Sequence, residues 1–171
     1  DVMNKLARSI LALYSYDPDP ENNSYMSQMN QALHLIARCP VIVAHAYAAK
    51  QHYLDGKSLY LHYPKPGLTI AENFLRSVRH DKKFTEQEAR LLDLCLVLHA
   101  EHGGGNNSAF ACRVLSSSGT DFYSAIAAAV GSLKGPRHGG ANKKVMEQFG
   151  LIESFVKDWD DEDEVRACLR K

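Results

Sequence analysis

The sequence predicts an all-α protein. Apolar residues recur three and four positions apart through most of the 171 residues, which is the period of amphipathic helices. Proline- and glycine-rich stretches separate these segments, and no alternating apolar and polar run indicates a strand. No internal repeat is present, and hydrophobic residues make up 45% of the chain, enough for one core.

Four helices are predicted before residue 100. The stretch DPDPENNS ends the first helix near Tyr16 and supplies N-cap residues for the second. Pro40 is expected to kink or restart the second helix, which Gly56 closes. The proline-containing segment Lys57–Thr69 is expected to be an irregular surface excursion, and Thr85 to open a capping box. The predicted helices cover residues 2–16, 25–54, 71–79 and 86–98.

Four more helices are predicted after residue 100. The breaks between them are GGGNNS (Gly103–Ser108), SSSGTD (Ser116–Asp121) and the turn Gly135–Gly140. The acidic stretch DWDDEDE (Asp158–Glu164) is expected to be a linker followed by a first helical turn, where carboxylates suit the helix dipole. The predicted helices begin at Asn107 or Ser108, Phe122, Ala141 and Glu162, and the third of them is expected to extend to Trp159.

Composition excludes several classes of protein. Lys+Arg and Asp+Glu are both 20, so no basic excess indicates nucleic-acid binding. No apolar run reaches the ~18 residues of a membrane span, and no signal peptide is expected. The four cysteines are scattered, which predicts free buried thiols in a reducing cytoplasm. Because position 1 is Asp and lies in helical register, we expect a piece of a longer polypeptide.

Three of the eight histidines stand beside glycine-rich breaks: His99, His102 and His138. In HAEHGGGNNS, the first two are three residues apart and Glu101 lies between them, which would suit zinc. The spacing is not H-E-x-x-H and no third ligand is near in sequence, so that no metal site is expected.

The stretch GGGNNS is better interpreted as a glycine turn that opens a helix. Backbone N–H groups and the positive end of the dipole favour an anion there. Asn106, Asn107 and Ser108 add neutral hydrogen-bond donors, which suits a small carboxylate. Ordinary helix capping remains the alternative at this point.

The second motif, GPRHGGANKKV (Gly135–Val145), places His138 between a Gly-Pro and a Gly-Gly pair, just before a helix. A helix N-terminus disfavours a positive imidazole, so His138 is expected to be a neutral hydrogen-bond donor. The glycines would let a substrate carbonyl approach it closely. A plain turn is the alternative.

Together the motifs resemble those of citrate synthase (Si-type). HAEHGGGNNSAF, followed by DFYSAIAAAVGSLKGPRHGGANKKVMEQF, carries the resemblance. It extends upstream through DVMNKLARSILALYSYDPDPENNS and LHLIARCPVIVAHAY, so that nearly the whole chain is covered. The resemblance implies that residues 1–171 are part of the multi-helical large domain and end just before the small domain, which is absent.

The family condenses acetyl-CoA with oxaloacetate and then hydrolyses the citryl thioester, without a further cofactor. The resemblance implies that His138 hydrogen-bonds the acetyl carbonyl and stabilises its enol, as an oxyanion-type donor. It implies that His102 contacts oxaloacetate. The other implied positions are Asn106 and Ser108 in the oxaloacetate site, and Arg137 and Gly139 near the thioester end of CoA.

The resemblance also shows what the chain lacks. A second catalytic histidine in G-[FY]-G-H, the aspartate that takes the methyl proton and the carboxylate-binding arginines come later in the family. Residues 1–171 alone are therefore expected not to turn over. The family commonly has an acidic residue at position 103 and a small or aliphatic one at 137. Gly103 and Arg137 depart from that pattern, which bears on the subfamily more than on the reaction.

A homodimer is implied as well, because helices of this region pack against their copies in the family. The small-residue face around Ala125, Ala128, Ala129 and Gly131 would permit that approach, although ordinary packing within the chain is the alternative. Three competing functions stay open: a 2-methylcitrate synthase that uses propionyl-CoA, a non-catalytic helical module, and a metal-binding helical protein.

Overall fold

A computed structural model of the protein describes residues 1–101 and 103–170. Over these residues the chain forms eight α-helices and no strand, so the all-α prediction is confirmed. The chain divides into two compact units, Asp1–Ser132 and Leu133–Lys171. The helices are α1 (Val2–Leu13), α2 (Tyr25–Asp55), α3 (Ile70–Val78), α4 (Glu86–His99), α5 (Asn107–Ser116), α6 (Phe122–Leu133), α7 (Gly140–Phe155) and α8 (Glu162–Leu169).

One predicted helix end differs from the structure, and the structure decides whether the second helix restarts. Helix α2 does not restart at Pro40 but continues through it, and α1 and α3 pack against it. Packing therefore outweighs the local cost of an interior proline, about 3 kcal/mol. Helix α7 ends at Phe155 and not at Trp159, because Val156 takes an extended conformation (φ −81°, ψ 120°) and is buried.

Side-chain caps fix the starts of α3 and α4. The capping box predicted at Thr85 is present, with Glu88 as its partner. Glu88 also accepts two hydrogen bonds from Arg79, at 2.6 and 3.0 Å, which ties the end of α3 to the start of α4. These bonds, together with those from Thr85, lower the pKa of the Glu88 carboxyl to about 2.

The core of the first unit lies between α1, α2 and α6. Five buried side chains form it, and partly buried residues of the same helices surround them. Tyr123 is the largest of these side chains, with 1% of its surface exposed. Because this one cluster joins helices far apart in sequence, it fixes α6 relative to the N-terminal helices. The five residues are Leu6, Ile10, Leu35, Tyr123 and Ala127.

A partly buried polar contact lies beside that core. The Tyr123 hydroxyl donates to Asp17 Oδ2 at 2.6 Å, and Gln31 Nε2 donates to the same oxygen at 3.1 Å. Asp17 Oδ1 accepts from the Asp19 backbone N–H at 2.9 Å. The hydrogen bond from Tyr123, followed by that from Asp19, lowers the pKa of Asp17, whereas burial and the bond to Asp17 raise the pKa of Tyr123 to about 12.

The segment Lys57–Thr69 is irregular, as predicted, and side chains of α2 and α3 hold its backbone. A ring nitrogen of His45 lies 3.3 Å from the His62 carbonyl, and Arg76 donates to the Tyr63 carbonyl at 2.6 Å. Asn73 donates to the Leu68 carbonyl at 3.1 Å. These bonds replace the regular pairing that the prolines prevent.

Helix α2 is long and apolar enough to cross a membrane, by length and composition alone. Helices α1 and α3 pack against it, and core helices meet the same two criteria. The match therefore carries no membrane assignment.

All four cysteines are free, as predicted, but their burial differs from the expectation. Cys95 is exposed, and Cys39, Cys112 and Cys168 are half-buried. Burial raises the pKa of the Cys39 thiol.

The second unit contains α7 and α8. Asp161 caps α8, and three acidic residues occupy its first turn, so the interpretation of the acidic stretch is confirmed. The Glu164 carboxylate accepts from the backbone N–H groups of Lys157 and Asp158, at 2.9 and 3.2 Å. The helix start thereby satisfies donors of the preceding linker.

Replacing Tyr123 with Phe is expected to lower the free energy of unfolding by about 1–3 kcal/mol near pH 7, because a partly buried hydrogen bond to a carboxylate is lost. The lowered pKa of Asp17 contributes stability above its unfolded value of about 3.9, which is lost as the pH falls. The raised pKa of Tyr123 contributes below about pH 10, and this is lost as the pH rises towards 12. The difference between the two proteins should therefore shrink in acid and in alkali.

Urea unfolding between pH 3 and 11 measures this difference. Tyr14→Phe is the matched control, since the Tyr14 hydroxyl donates to Glu21 at the surface, also at 2.6 Å. Tyr14→Phe should lower the free energy of unfolding by less than Tyr123→Phe does. Equal losses in the two variants, or a Tyr123→Phe loss independent of pH, would contradict the role given to Asp17.

Candidate functional site

The glycine turn predicted before α5 is present. The Asn106 side chain makes one hydrogen bond to the turn and one to the first turn of the helix. Its side-chain oxygen accepts from the Ala109 backbone N–H at 2.8 Å, as an N-cap. Its Nδ2 donates to the Gly103 carbonyl at 3.0 Å. Gly103 has φ +86°, a left-handed conformation that glycine adopts without steric cost. Helix capping is thus one role of Asn106.

The two residues that follow Asn106 bind α6. Asn107 Nδ2 donates to Ser132 Oγ at 2.7 Å, and Ser108 Oγ donates to the Ala129 carbonyl at 2.9 Å. The sequence predicted these side chains as donors but could not indicate their partners, which come from a helix more than twenty residues later. The start of α5 is therefore held against the end of α6.

Polar groups also surround the glycines themselves. Glu101 accepts from the Gly103 backbone N–H at 2.6 Å. The Arg113 guanidinium, on α5, lies over Gly104 so closely that a Cβ there would be 2.8 Å from its Nη2. A cation therefore lies against the glycine turn, which was not apparent from the sequence.

His102 lies outside the described residues, so its assignment to oxaloacetate stays a prediction. Its neighbour His99 ends α4, where its Nδ1 lies 2.7 Å from the Cys95 carbonyl. Among the residues that the structure describes, no group of three or more His, Cys, Asp or Glu side chains could hold a metal ion.

The second motif forms a tight turn in the second unit. The backbone N–H groups of His138 and Gly139 both donate to the Gly135 carbonyl, at 3.0 and 2.8 Å. His138 is half-buried, and Arg137 is exposed. Helix α7 begins at Gly140, and no side chain caps it. The imidazole therefore lies in the turn directly before the positive end of a helix, as the sequence predicts.

Gly139 is required by close packing of the backbone. A Cβ at this position would lie 1.8 Å from the Leu133 carbonyl oxygen, a main-chain atom that cannot move aside cheaply. Gly140, in contrast, has open space around it. The turn that carries His138 therefore requires glycine at position 139 but not at position 140.

The structure therefore groups the predicted residues by unit. Asn106 and Ser108 lie together at the start of α5 in the first unit. Arg137, His138 and Gly139 lie together in the turn before α7 in the second unit. Each group belongs to a histidine-containing motif of the sequence and lies at or directly before a helix start.

Comparisons with known proteins identify the family of the chain. The family model described as citrate synthase, C-terminal domain, matches residues 1–171. The citrate synthase of Heyndrickxia coagulans is 37% identical over 147 residues, which cover 86% of this chain and 37% of that protein. The citrate/2-methylcitrate synthase of Bacillus subtilis is 35% identical over 152 residues, which cover 89% of this chain and 38% of that protein.

A solved structure is similar as well. The crystal structure of citrate synthase from Pyrobaculum aerophilum superposes with a TM-score of 0.65 at 30% sequence identity. The match covers 91% of this chain and 39% of that one. The chain thus spans about two fifths of the length of the relatives it matches.

Replacing Gly139 with Ala is expected to destabilise the chain by about 1–3 kcal/mol or more, because the new Cβ overlaps the Leu133 carbonyl. Gly140→Ala is the matched control. It has room for the methyl group and lies at the first position of α7, so that it should be neutral or stabilising. Thermal unfolding of both variants measures the difference, and equal melting temperatures would show that the turn does not need its glycine.

Proposed function

The chain belongs to the citrate synthase family, and we propose that the protein condenses acetyl-CoA with oxaloacetate to form citrate and free CoA. The observation that carries this proposal is the turn Gly135–Gly139. It presents a half-buried imidazole just before an uncapped helix, and its backbone approaches Leu133 too closely for any side chain at Gly139. Such a turn suits a fixed hydrogen-bond donor for a substrate carbonyl.

In this reaction, a carboxylate base outside residues 1–171 removes a proton from the methyl group of acetyl-CoA. His138, as the neutral imidazole, donates a hydrogen bond to the thioester oxygen, where negative charge develops as the enol forms. A rigid turn suits that role, because a donor fixed in advance needs no reorganisation during the reaction. Arg137 and Gly139 then lie near the thioester end of CoA.

The enol carbon next attacks the ketone carbon of oxaloacetate, and the ketone oxygen takes up a proton. The product is citryl-CoA, whose thioester water hydrolyses to citrate and CoA. We assign the binding of oxaloacetate to Asn106, Ser108 and His102. The positive end of α5 and the Arg113 guanidinium over Gly104 support a dianionic substrate at this turn. No further cofactor is needed.

A second candidate is a 2-methylcitrate synthase, which uses propionyl-CoA. The relative from Bacillus subtilis supports it, since its name gives both products. The two reactions differ by one methyl group on the acyl chain, and a contact with one methylene is worth about 1–3 kcal/mol of discrimination.

We further propose that the protein is a cytoplasmic homodimer. Ala125 is buried within its own chain, so packing inside the chain already uses part of the small-residue face of α6. Helix α4 instead exposes large apolar side chains on one face, at Leu91, Leu94 and Leu98. Leu98 is 69% exposed, and such a stripe suits the surface of a second copy. The free cysteines support a reducing compartment.

The reaction is tested by measuring the release of free CoA by the full-length protein. The assay contains oxaloacetate and either acetyl-CoA or propionyl-CoA. His138→Ala should lower kcat by about 10²–10³, the cost of losing one oxyanion-type donor. The exposed His34, which has no assigned role, is the matched control, and His34→Ala should retain kcat. Residues 1–171 alone should release no CoA. Near-normal turnover by His138→Ala would exclude the assigned role, and a preference for propionyl-CoA would favour the second candidate.

Replacing Leu94 with Glu in the full-length protein should shift the dimer towards monomer, because a charge would be buried between apolar surfaces. Analytical ultracentrifugation measures the change. Tyr53, which is 78% exposed at the end of α2, gives the matched control Tyr53→Glu, with no expected change. A monomeric wild-type protein, or a Leu94→Glu variant that remains dimeric, would contradict this interface.

A further inference from the structure

Core packing does not fix the position of α5. None of its residues, Asn107–Ser116, is buried. Yet under the proposed function this helix start carries Asn106 and Ser108, to which we assign the binding of oxaloacetate. Specific bonds must therefore set where the helix begins, since a binding group needs a defined position.

Two hydrogen bonds supply that position, and both reach the last turn of α6. Ser108 Oγ donates to the Ala129 carbonyl at 2.9 Å, and Asn107 Nδ2 donates to Ser132 Oγ at 2.7 Å. Residues 129 and 132 are three apart and so share one face of α6. The bond from Asn107 is at the short end of the normal range for N–H···O contacts.

Helix α6 is a firm support for these bonds. Tyr123 and Ala127 bury it in the core of the first unit, and the Tyr123 hydroxyl binds Asp17. The two bonds therefore connect a helix without buried residues to one that the core holds.

The two bonds differ in what they require from the sequence. Any residue at 129 supplies a main-chain carbonyl, so the bond from Ser108 depends on one side chain. The bond between Asn107 and Ser132 needs an amide on one helix and a hydroxyl on the other. That specific pair has no other role in the reaction described above.

We infer that Asn107 and Ser132 are positioning residues for the oxaloacetate site. Their hydrogen bond holds the start of α5 against α6 and so places Asn106 and Ser108 for the substrate. Neither residue is assigned a contact with the substrate. This inference rests on the proposed function.

The test uses steady-state kinetics of the full-length protein with Asn107→Ala, Ser132→Ala and the double variant. Each single change should raise the KM for oxaloacetate about three- to tenfold, the equivalent of one hydrogen bond, and leave the KM for acetyl-CoA largely unchanged. The KM of the double variant for oxaloacetate should be no higher than that of either single variant, because both changes remove the same hydrogen bond. Ser132→Thr retains a hydroxyl, so its KM for oxaloacetate should be close to that of the wild-type protein.

Ser117→Ala is the matched control, since the Ser117 hydroxyl donates to the Val114 carbonyl at 2.7 Å at the opposite end of α5. It should leave both KM values unchanged. An unchanged oxaloacetate KM in the two single variants would overturn the inference. So would additive effects in the double variant, or an equal rise in both KM values with a lower melting temperature.

The proposed function is tested first, on the wild-type protein. Wild type that releases no CoA with oxaloacetate and either acyl-CoA would refute the function, and this inference with it. Active wild type with an unchanged Asn107→Ala variant would refute the inference alone.

Discussion

The hydrogen bond from the Tyr123 hydroxyl to Asp17 is the contact on which the first unit depends. It lies at the edge of a core that α1, α2 and α6 share, and it joins residues 106 positions apart. A phenol buried to this extent must find an acceptor, because an unsatisfied hydroxyl would cost about 1–3 kcal/mol. The loop after α1 provides that acceptor, so that Asp17 holds the loop and α6 together.

Residues of helix α6 make contacts with one motif within each unit. Ala129 and Ser132 receive the hydrogen bonds from the start of α5, where the oxaloacetate residues lie. Its last residue, Leu133, offers the carbonyl against which Gly139 packs. A helix with four alanines among its twelve residues suits this role, because small side chains let other backbone segments approach its surface.

Glycines serve two different purposes in the two motifs. Gly103 takes a left-handed conformation that lets the chain leave α4 and enter α5. Gly139 has an ordinary φ of −87°, and only the nearness of the Leu133 carbonyl excludes a side chain there. The first requirement arises from local conformation and the second from packing. Both glycines lie in a turn that leads into a helix, and the positive end of a helix suits anionic or developing negative charge.

The sequence by itself determined the class of the protein, most helix boundaries, the capping box at Thr85 and the two motifs, because these depend on local periodicity and on residues within one turn of each other. It could not decide that α2 continues through Pro40, or that α7 stops at the buried Val156, since packing overrides local preference at both places. It predicted Asn106, Ser108 and His138 as candidates through their glycine-rich surroundings. Only the tertiary structure decided which partners hold them, because Ser132 and Leu133 meet the motifs through contacts that no sequence spacing records.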